Sequence, residues 1–169
     1  AYHAQLENTY DRQKAYQMQV DTTLDTLDRE LKLLVSAFFA KKLTEVVFPY
    51  WYGTNYNFYG TTQIPGQGKI ACGYFVTTVL EDMGIELDRV ELAKAASERM
   101  IRALVEPSHV QRFSRKTMDQ FLGGIKERGV GIYIVGLDRH TGFIVNLDPD
   151  DIRFVHASGR RPLCVINEP

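Results

Sequence analysis

The sequence has only two cysteines, Cys72 and Cys164, among its 169 residues. That is too few for a small fold held together by disulfides. The sequence also lacks an excess of charge of either sign, because its 20 basic and 21 acidic residues give a formal net charge of -1. Such a balance provides no electrostatic basis for binding nucleic acid. No apolar run reaches the length of a membrane-spanning helix, so we expect no membrane span.

The chain is large enough to bury one hydrophobic core, since 44% of its residues are hydrophobic and 24% are charged. Apolar residues recur at steps of three and four over Asn8–Leu43, which predicts an amphipathic helix. The composition changes at Phe48. We therefore predict a helical extension over residues 1–47 that packs on or flanks the domain, and a folded domain over residues 48–169. The extension has two interpretations, a packed helix or an arm that binds a partner or covers a site.

The sequence starts at Ala1 without a methionine or an apolar leader. We expect a mature chain whose signal peptide has been removed, or a trimmed one. The first interpretation favours a secreted or periplasmic location. The oligomeric state is left open by the sequence.

Helical patterns come first along the chain and strand patterns come last. A helix is predicted from Cys72 to Gly84, a second from Asp88 to Val105, and a third over Thr117–Arg128. The predicted strands are Val130–Leu137, His140–Leu147, Ile152–Ala157 and Leu163–Ile166. This order predicts an α+β fold in which helices pack on an antiparallel sheet.

Cys72 is the first candidate for chemistry. It stands in Ile70-Ala71-Cys72-Gly73-Tyr74, at the predicted start of a helix. The positive end of a helix dipole favours a thiolate there, which is the nucleophilic form of cysteine. A lone cysteine in an apolar helix is more often a small hydrophobic residue. Cys164, within a predicted strand, fits that second description.

Two histidines follow in positions that suit general acid–base catalysis. His140 begins one predicted strand and His156 ends the next, and a short Asp-Pro-Asp turn lies between the strands. In a hairpin of this length the start of one strand meets the end of the other, so the two rings should be neighbours. One histidine can then act as a general base while a second polar group holds its ring in the productive tautomer.

An aromatic segment lies directly upstream of Cys72. It contains Trp51, Tyr56 and Tyr59 within a loop-like stretch. These rings could cap the core or build one wall of a cleft, and we take Trp51 and Tyr59 as candidate substrate contacts. Arg160, shortly after His156, could meet a substrate carboxylate or could merely flank a strand.

A metal centre is the alternative use of Cys72, His140 and His156, because three such side chains can hold zinc. Short-spaced ligand pairs of the usual kind are missing from the sequence, and no acidic partner for the histidines is obvious. We therefore predict no metal and no cofactor.

The chain resembles the NlpC/P60 superfamily of papain-like cysteine peptidases in three blocks. The first is Gly53-Thr54-Asn55-Tyr56, similar to the family's Gly-Thr-Pro-Tyr block. The second is Cys72-Gly73-Tyr74-Phe75-Val76, similar to its nucleophile helix. The third pairs His140-Thr141-Gly142-Phe143-Ile144 with Phe154-Val155-His156-Ala157-Ser158, similar to its base and orienting strands. The resemblance covers roughly residues 50–160.

This resemblance implies a papain-like fold in which Cys72 is the nucleophile, His140 the base and His156 the orienting residue. Tyr56 would then add its hydroxyl to the oxyanion hole. Most members of the family have an acidic residue before the cysteine and a serine after it, which bind the free amine of the peptide. This chain has Ala71 and Gly73 at those positions.

We therefore predict a cysteine hydrolase that cleaves amide bonds, with bacterial peptidoglycan peptides or their fragments as the substrate that the resemblance implies. Two other hypotheses stay open. One is a thiol acyltransferase or deamidase on a substrate outside the cell wall, which Ala71 and Gly73 permit. The other is a non-catalytic module that binds a glycan or peptide through the aromatic segment.

Overall fold

Residues 29–51 form an almost continuous run of helix. The computed structural model describes Asp11, Lys14 and residues 29–169, and begins its ordered run of elements with α1 (Arg29–Lys42). A π-helical turn (Leu43–Val47) continues directly into α2 (Phe48–Trp51). The helix predicted from Asn8 is thus confirmed from Arg29 onward, and most of its earlier part lies outside the described residues.

The aromatic segment is less loop-like than its composition suggests. Its first four residues, Phe48–Trp51, are the helix α2, and Pro49 lies just after the π-helical turn. The chain then leaves the helix at Gly53, whose φ of 80° favours glycine. Beyond it, β1 (Asn55–Tyr56) pairs in parallel with β2 (Lys69–Ile70).

The helix predicted at Cys72 is confirmed as α3 (Cys72–Asp82). It starts after Ala71, whose backbone is extended, and ends before Gly84, which has a φ of 84°. Every residue from Gly73 to Leu80 is buried. The helix is therefore enclosed on all sides, and only its ends approach the surface.

The helix predicted between Asp88 and Val105 is divided in two, so that prediction is wrong in its length. The structure has α4 (Arg89–Lys94) and α5 (Ser97–Leu104), with extended backbone at Ala95 and Ala96 between them. The Ala95 N–H closes α4 on the Leu92 carbonyl. The Ser97 hydroxyl then donates to the Leu137 carbonyl, which ties the start of α5 to the sheet.

A short 3-10 turn (Pro107–His109) and a loop lead to α6 (Met118–Arg128). The Thr117 side chain accepts from the Gln120 N–H, and the Gln120 side chain accepts from the Thr117 N–H, so a capping box fixes the start of α6.

The four strands that follow form one antiparallel sheet in chain order. They are β3 (Gly131–Leu137), β4 (His140–Asn146), β5 (Arg153–Ala157) and β6 (Val165–Glu168). The predicted α+β class, with helices and an antiparallel sheet, is confirmed at 44% helix and 21% strand.

The two faces of the sheet have different neighbours. Phe143 and Val145 of β4 are buried in the core with α3, where the rings of Phe75 and Phe143 meet at 5.9 Å between centroids. By strand alternation, His140 and Ile144 belong to the other face. Because His140 is the first residue of β4, it stands at the end of the sheet.

No helix in the described part of the chain is long and apolar enough to cross a membrane. The predicted boundary between residues 47 and 48 stays a prediction. Leu43 and Val47, which precede that boundary, are both fully buried in the same hydrophobic core as Phe48 and Trp51.

Replacement of Leu43 by alanine tests how far this extension belongs to the domain. Leu43→Ala should lower the free energy of unfolding by about 2–5 kcal/mol, because it leaves a cavity in the core. Leu34→Ala is the matched control: Leu34 is 66% exposed, so its loss should change stability by less than about 0.5 kcal/mol. Urea denaturation measures both. A small effect at Leu43 would show instead that the helix before Phe48 is separable.

Candidate active site

Cys72 is the first residue of α3 and is half-buried. The residue before it, Ala71, directly follows β2, and the Ala71 N–H donates to the Gly60 carbonyl. This hydrogen bond holds the start of α3 in place. Pairing of β1 with β2 places Tyr56 opposite Ile70, two residues before Cys72. Burial raises the pKa of Tyr56, and the nearby Cys72 raises it further. Tyr56 and Cys72 are therefore neighbours, with the phenol in its neutral, hydrogen-bond-donating form.

His140 and His156 are in direct contact. His140 Nε2 and His156 Nδ1 lie 2.6 Å apart. Gly142 makes room for this contact, since a Cβ there would lie 2.7 Å from the Cβ of His156 and 2.6 Å from the ring of Phe154. That ring in turn stacks on His156, with 4.1 Å between centroids. The two histidines are therefore neighbours in the hairpin, as predicted. Phe154 packs against both rings.

Glu168 is a member of the site that the sequence analysis missed. Its Oε1 lies 3.0 Å from Nε2 of His156. On β6, Glu168 pairs with Phe154, two residues from His156 on the same face of the sheet. The strand predicted over Leu163–Ile166 ends before Glu168, whereas β6 runs over Val165–Glu168, and no local pattern in the sequence indicates this extension. Glu168, His156 and His140 thus form a chain of hydrogen bonds, which we call the relay.

The relay determines where the ring protons sit. A carboxylate can only accept, so Nε2 of His156 must donate to Glu168. Burial lowers the pKa of His156, and its ring is neutral at neutral pH. A neutral ring that carries its proton on Nε2 has a free lone pair on Nδ1, which accepts from Nε2–H of His140. The unprotonated nitrogen of His140 is therefore Nδ1, the atom that a general base uses.

The environment keeps His140 uncharged. Burial is the main cause that lowers the pKa of His140 to about 4, and the neighbouring His156 and Arg160 add to it, while Glu168 opposes them. At neutral pH the ring is therefore neutral, and its affinity for a proton is lower than that of a free histidine. The unfolded chain binds a proton near pH 6.5, so this group favours folding above that pH. Its contribution is lost as the pH falls from about 6.5 towards about 4.

Among the described residues, Cys72 and Tyr56 form no hydrogen bond with His140 or His156. Both pairs of residues border the same stretch of chain, Ser158-Gly159-Arg160. A Cβ on Gly159 would lie 3.3 Å from the ring of Tyr56. The charge of Arg160 acts on His140. The Ser158 side chain accepts from the Arg160 N–H and donates to the Arg160 carbonyl, which gives this stretch a defined shape.

The other candidate residues are placed differently. Trp51 is fully buried and packs against Phe75. It contributes to the core, which corrects its assignment as a substrate contact: its large apolar surface is covered by α3. Tyr59 is 84% exposed, next to Phe58. Cys164, the second thiol, is half-buried and forms a β-bridge with Asn55.

The position after Cys72 is closed by the backbone of α4. A Cβ on Gly73 would overlap the carbonyl oxygen of Ala93 in α4. Any side chain here, including the serine that is typical of the resembling family, would force α4 away from α3. Glycine at this position is therefore a packing requirement.

Among the described residues, no three His, Cys, Asp or Glu side chains are grouped so that they could hold a metal ion. No family model matches the chain, and no curated protein or solved structure matches it either.

Substitution of Glu168 tests the relay. In Glu168→Gln an amide replaces the carboxylate, and an amide can donate or accept, so His140 should populate both neutral tautomers. A hydrogen bond to a charged acceptor contributes about 1.5–3 kcal/mol, which is enough to hold one tautomer in the parent protein. Because the charge of Glu168 raises the pKa of His140, the variant should also titrate at lower pH.

Nitrogen NMR of labelled histidines measures both effects. The control is Glu127→Gln, which removes an exposed carboxylate on α6 and should leave the His140 signals unchanged. If Glu168→Gln also left the signals and the titration of His140 unchanged, Glu168 would have no role in the protonation of the site.

Proposed function

We propose that this protein is a cysteine hydrolase that cleaves amide bonds, with a papain-like fold of the NlpC/P60 type. The observation that carries the proposal is the relay. Glu168 and His156 hold His140 as a neutral base with its lone pair on Nδ1. A protein that only binds a ligand has no need for a tautomer held by two successive partners.

In this proposal, Nδ1 of His140 takes the proton of the Cys72 thiol as the sulfur attacks the substrate carbonyl. The carbonyl oxygen becomes an oxyanion that accepts hydrogen bonds from the Cys72 N–H and the Tyr56 hydroxyl. His140 then gives its proton to the leaving amine, and the C–N bond breaks to leave a thioester on Cys72. Water, deprotonated by His140, cleaves the thioester and releases a carboxylic acid.

The relay suits both halves of this cycle. The neutral ring is the form that accepts the first proton. When His140 becomes an imidazolium, the relay stabilises the new charge through the Glu168 carboxylate. His156 therefore acts as a positioning residue, and Glu168 acts through it.

The peptide substrate is proposed from the resemblance, which favours bacterial cell-wall peptides. The packing at Gly73 limits how such a peptide would be recognised. With Ala71 before the nucleophile and the Ala93 carbonyl against Gly73, the family's pair of groups for a free peptide amine is missing. We therefore propose that the acyl side of the substrate is held by other groups or carries no free amine.

Acyl transfer is the second candidate function, and the closure of Gly73 is compatible with it. An acyltransferase uses the same thioester and differs only in the acceptor that resolves it. An added primary amine would capture the acyl group if transfer is the natural reaction, and the acyl product would then exceed the hydrolysed one.

Incubation with purified muropeptides and with a set of amino-blocked peptides, followed by mass analysis, tests hydrolysis. Products that have gained the elements of water are expected with the parent protein and with Cys164→Ala. With Cys72→Ala, the same products should be absent. Cleavage that survives in Cys72→Ala, or none by the parent protein on any of these peptides, would contradict the proposal.

Tyr56→Phe tests the oxyanion hole. The variant should lower kcat by about 10²–10³-fold, since one donor to the oxyanion is lost, while stability changes little. Tyr74→Phe is the control: Tyr74 lies on the same helix as Cys72, with its ring next to Arg89, and it should keep full activity. Equal rates for Tyr56→Phe and the parent protein would remove Tyr56 from the mechanism.

A further inference from the structure

A cavity of about 830 Å³ opens beside His140 on the face of the sheet away from α3. Its walls come from α5, the loop that follows it, α6 and β3. Apolar side chains form much of its lining, namely Ile101, Phe113, Phe121, Tyr133 and Ile144. Phe113 and Phe121 are in edge-to-face contact, with 5.2 Å between centroids. The cavity is therefore suited to an apolar group.

Charge around the cavity is positive. Four arginines line it against two acidic residues, Glu98 and Asp138. Glu98 is neutralised by Arg112, and Arg128 donates to Gln111. Arg139 and Arg160 have no partner among the described side chains. Arg139 directly precedes His140 in the sequence, and Arg160 is close enough for its charge to act on the His140 ring. A carboxylate near His140 would meet two free guanidinium groups.

In the proposed mechanism, the cavity lies on the amine side of the amide bond that is cleaved. His140 and Arg160 line it, whereas Cys72 and Tyr56, both described residues, do not. In the proposed mechanism Cys72 and Tyr56 hold the carbonyl, and His140 protonates the amine. The cavity is thus next to the group that leaves.

We propose that this cavity binds the leaving part of the substrate, an amine that carries an apolar side chain and a free carboxylate, as the C-terminal end of a peptide does. The proposal rests on the amide hydrolysis proposed above and names its substrate class. A carboxylate paired with Arg160 would also offset the positive charge next to His140, so the bound substrate itself would help His140 accept the thiol proton.

Binding to Cys72→Ala tests the cavity without any chemistry. Calorimetric titration should show that leucyl-phenylalanine with a free carboxylate binds at least about tenfold more tightly than its C-terminal amide, and also more tightly than glycyl-glycine. Arg160→Gln in the same background should abolish the preference for the free acid. Arg161→Gln, the adjacent exposed arginine outside the cavity, should keep it.

Equal affinity for the free acid and the amide, or a preference that survives Arg160→Gln, would overturn the cavity assignment and leave hydrolysis by Cys72 untouched. Binding that follows the prediction, together with parent protein that cleaves no peptide ending in such a residue, would instead overturn the proposed hydrolysis. Because Arg160 and Arg161 are exposed, the variants should fold, and their thermal midpoints check this.

Discussion

Phe75, one turn after Cys72, contacts Phe143 on β4, and both rings pack with Phe48 in the core. This contact joins the helix that carries the thiol to the strand that carries His140. Edge-to-face aromatic pairs of this kind combine large apolar burial with a restricted geometry. Because protein interiors are closely packed, a shift of α3 would displace β4. The placement of α3 relative to β4 therefore depends on this packing.

The relay determines which nitrogen of His140 carries the proton. Burial alone would leave His140 neutral but free to carry its proton on either nitrogen. The two hydrogen bonds that end at Glu168 select one of these forms. Burial and hydrogen bonding therefore have separate tasks: the first lowers the proton affinity of the ring, and the second selects the atom that is basic.

The sequence predicts the parts of this protein that depend on local pattern. The start of α3 at Cys72, the hairpin of β4 and β5, and the proximity of His140 to His156 all follow from periodicity and turn residues. The burial of Trp51 and the place of Glu168 depend on which surfaces meet in three dimensions. Glu168 pairs with Phe154 through a register that no local signal specifies. At the break between α4 and α5, Ser97 likewise makes a tertiary hydrogen bond to Leu137 that no local pattern indicates.

The segment before Cys72 is hydrogen-bonded to the segment that follows His156. The Gly53 N–H donates to the Val165 carbonyl, and the Tyr56 N–H donates to the Leu163 carbonyl. These contacts join regions that are far apart along the chain, and such contacts slow folding because the loop between them must close first. A newly made chain would therefore complete the proposed oxyanion hole late, once the segment around Leu163 and Val165 has joined the segment that contains Tyr56.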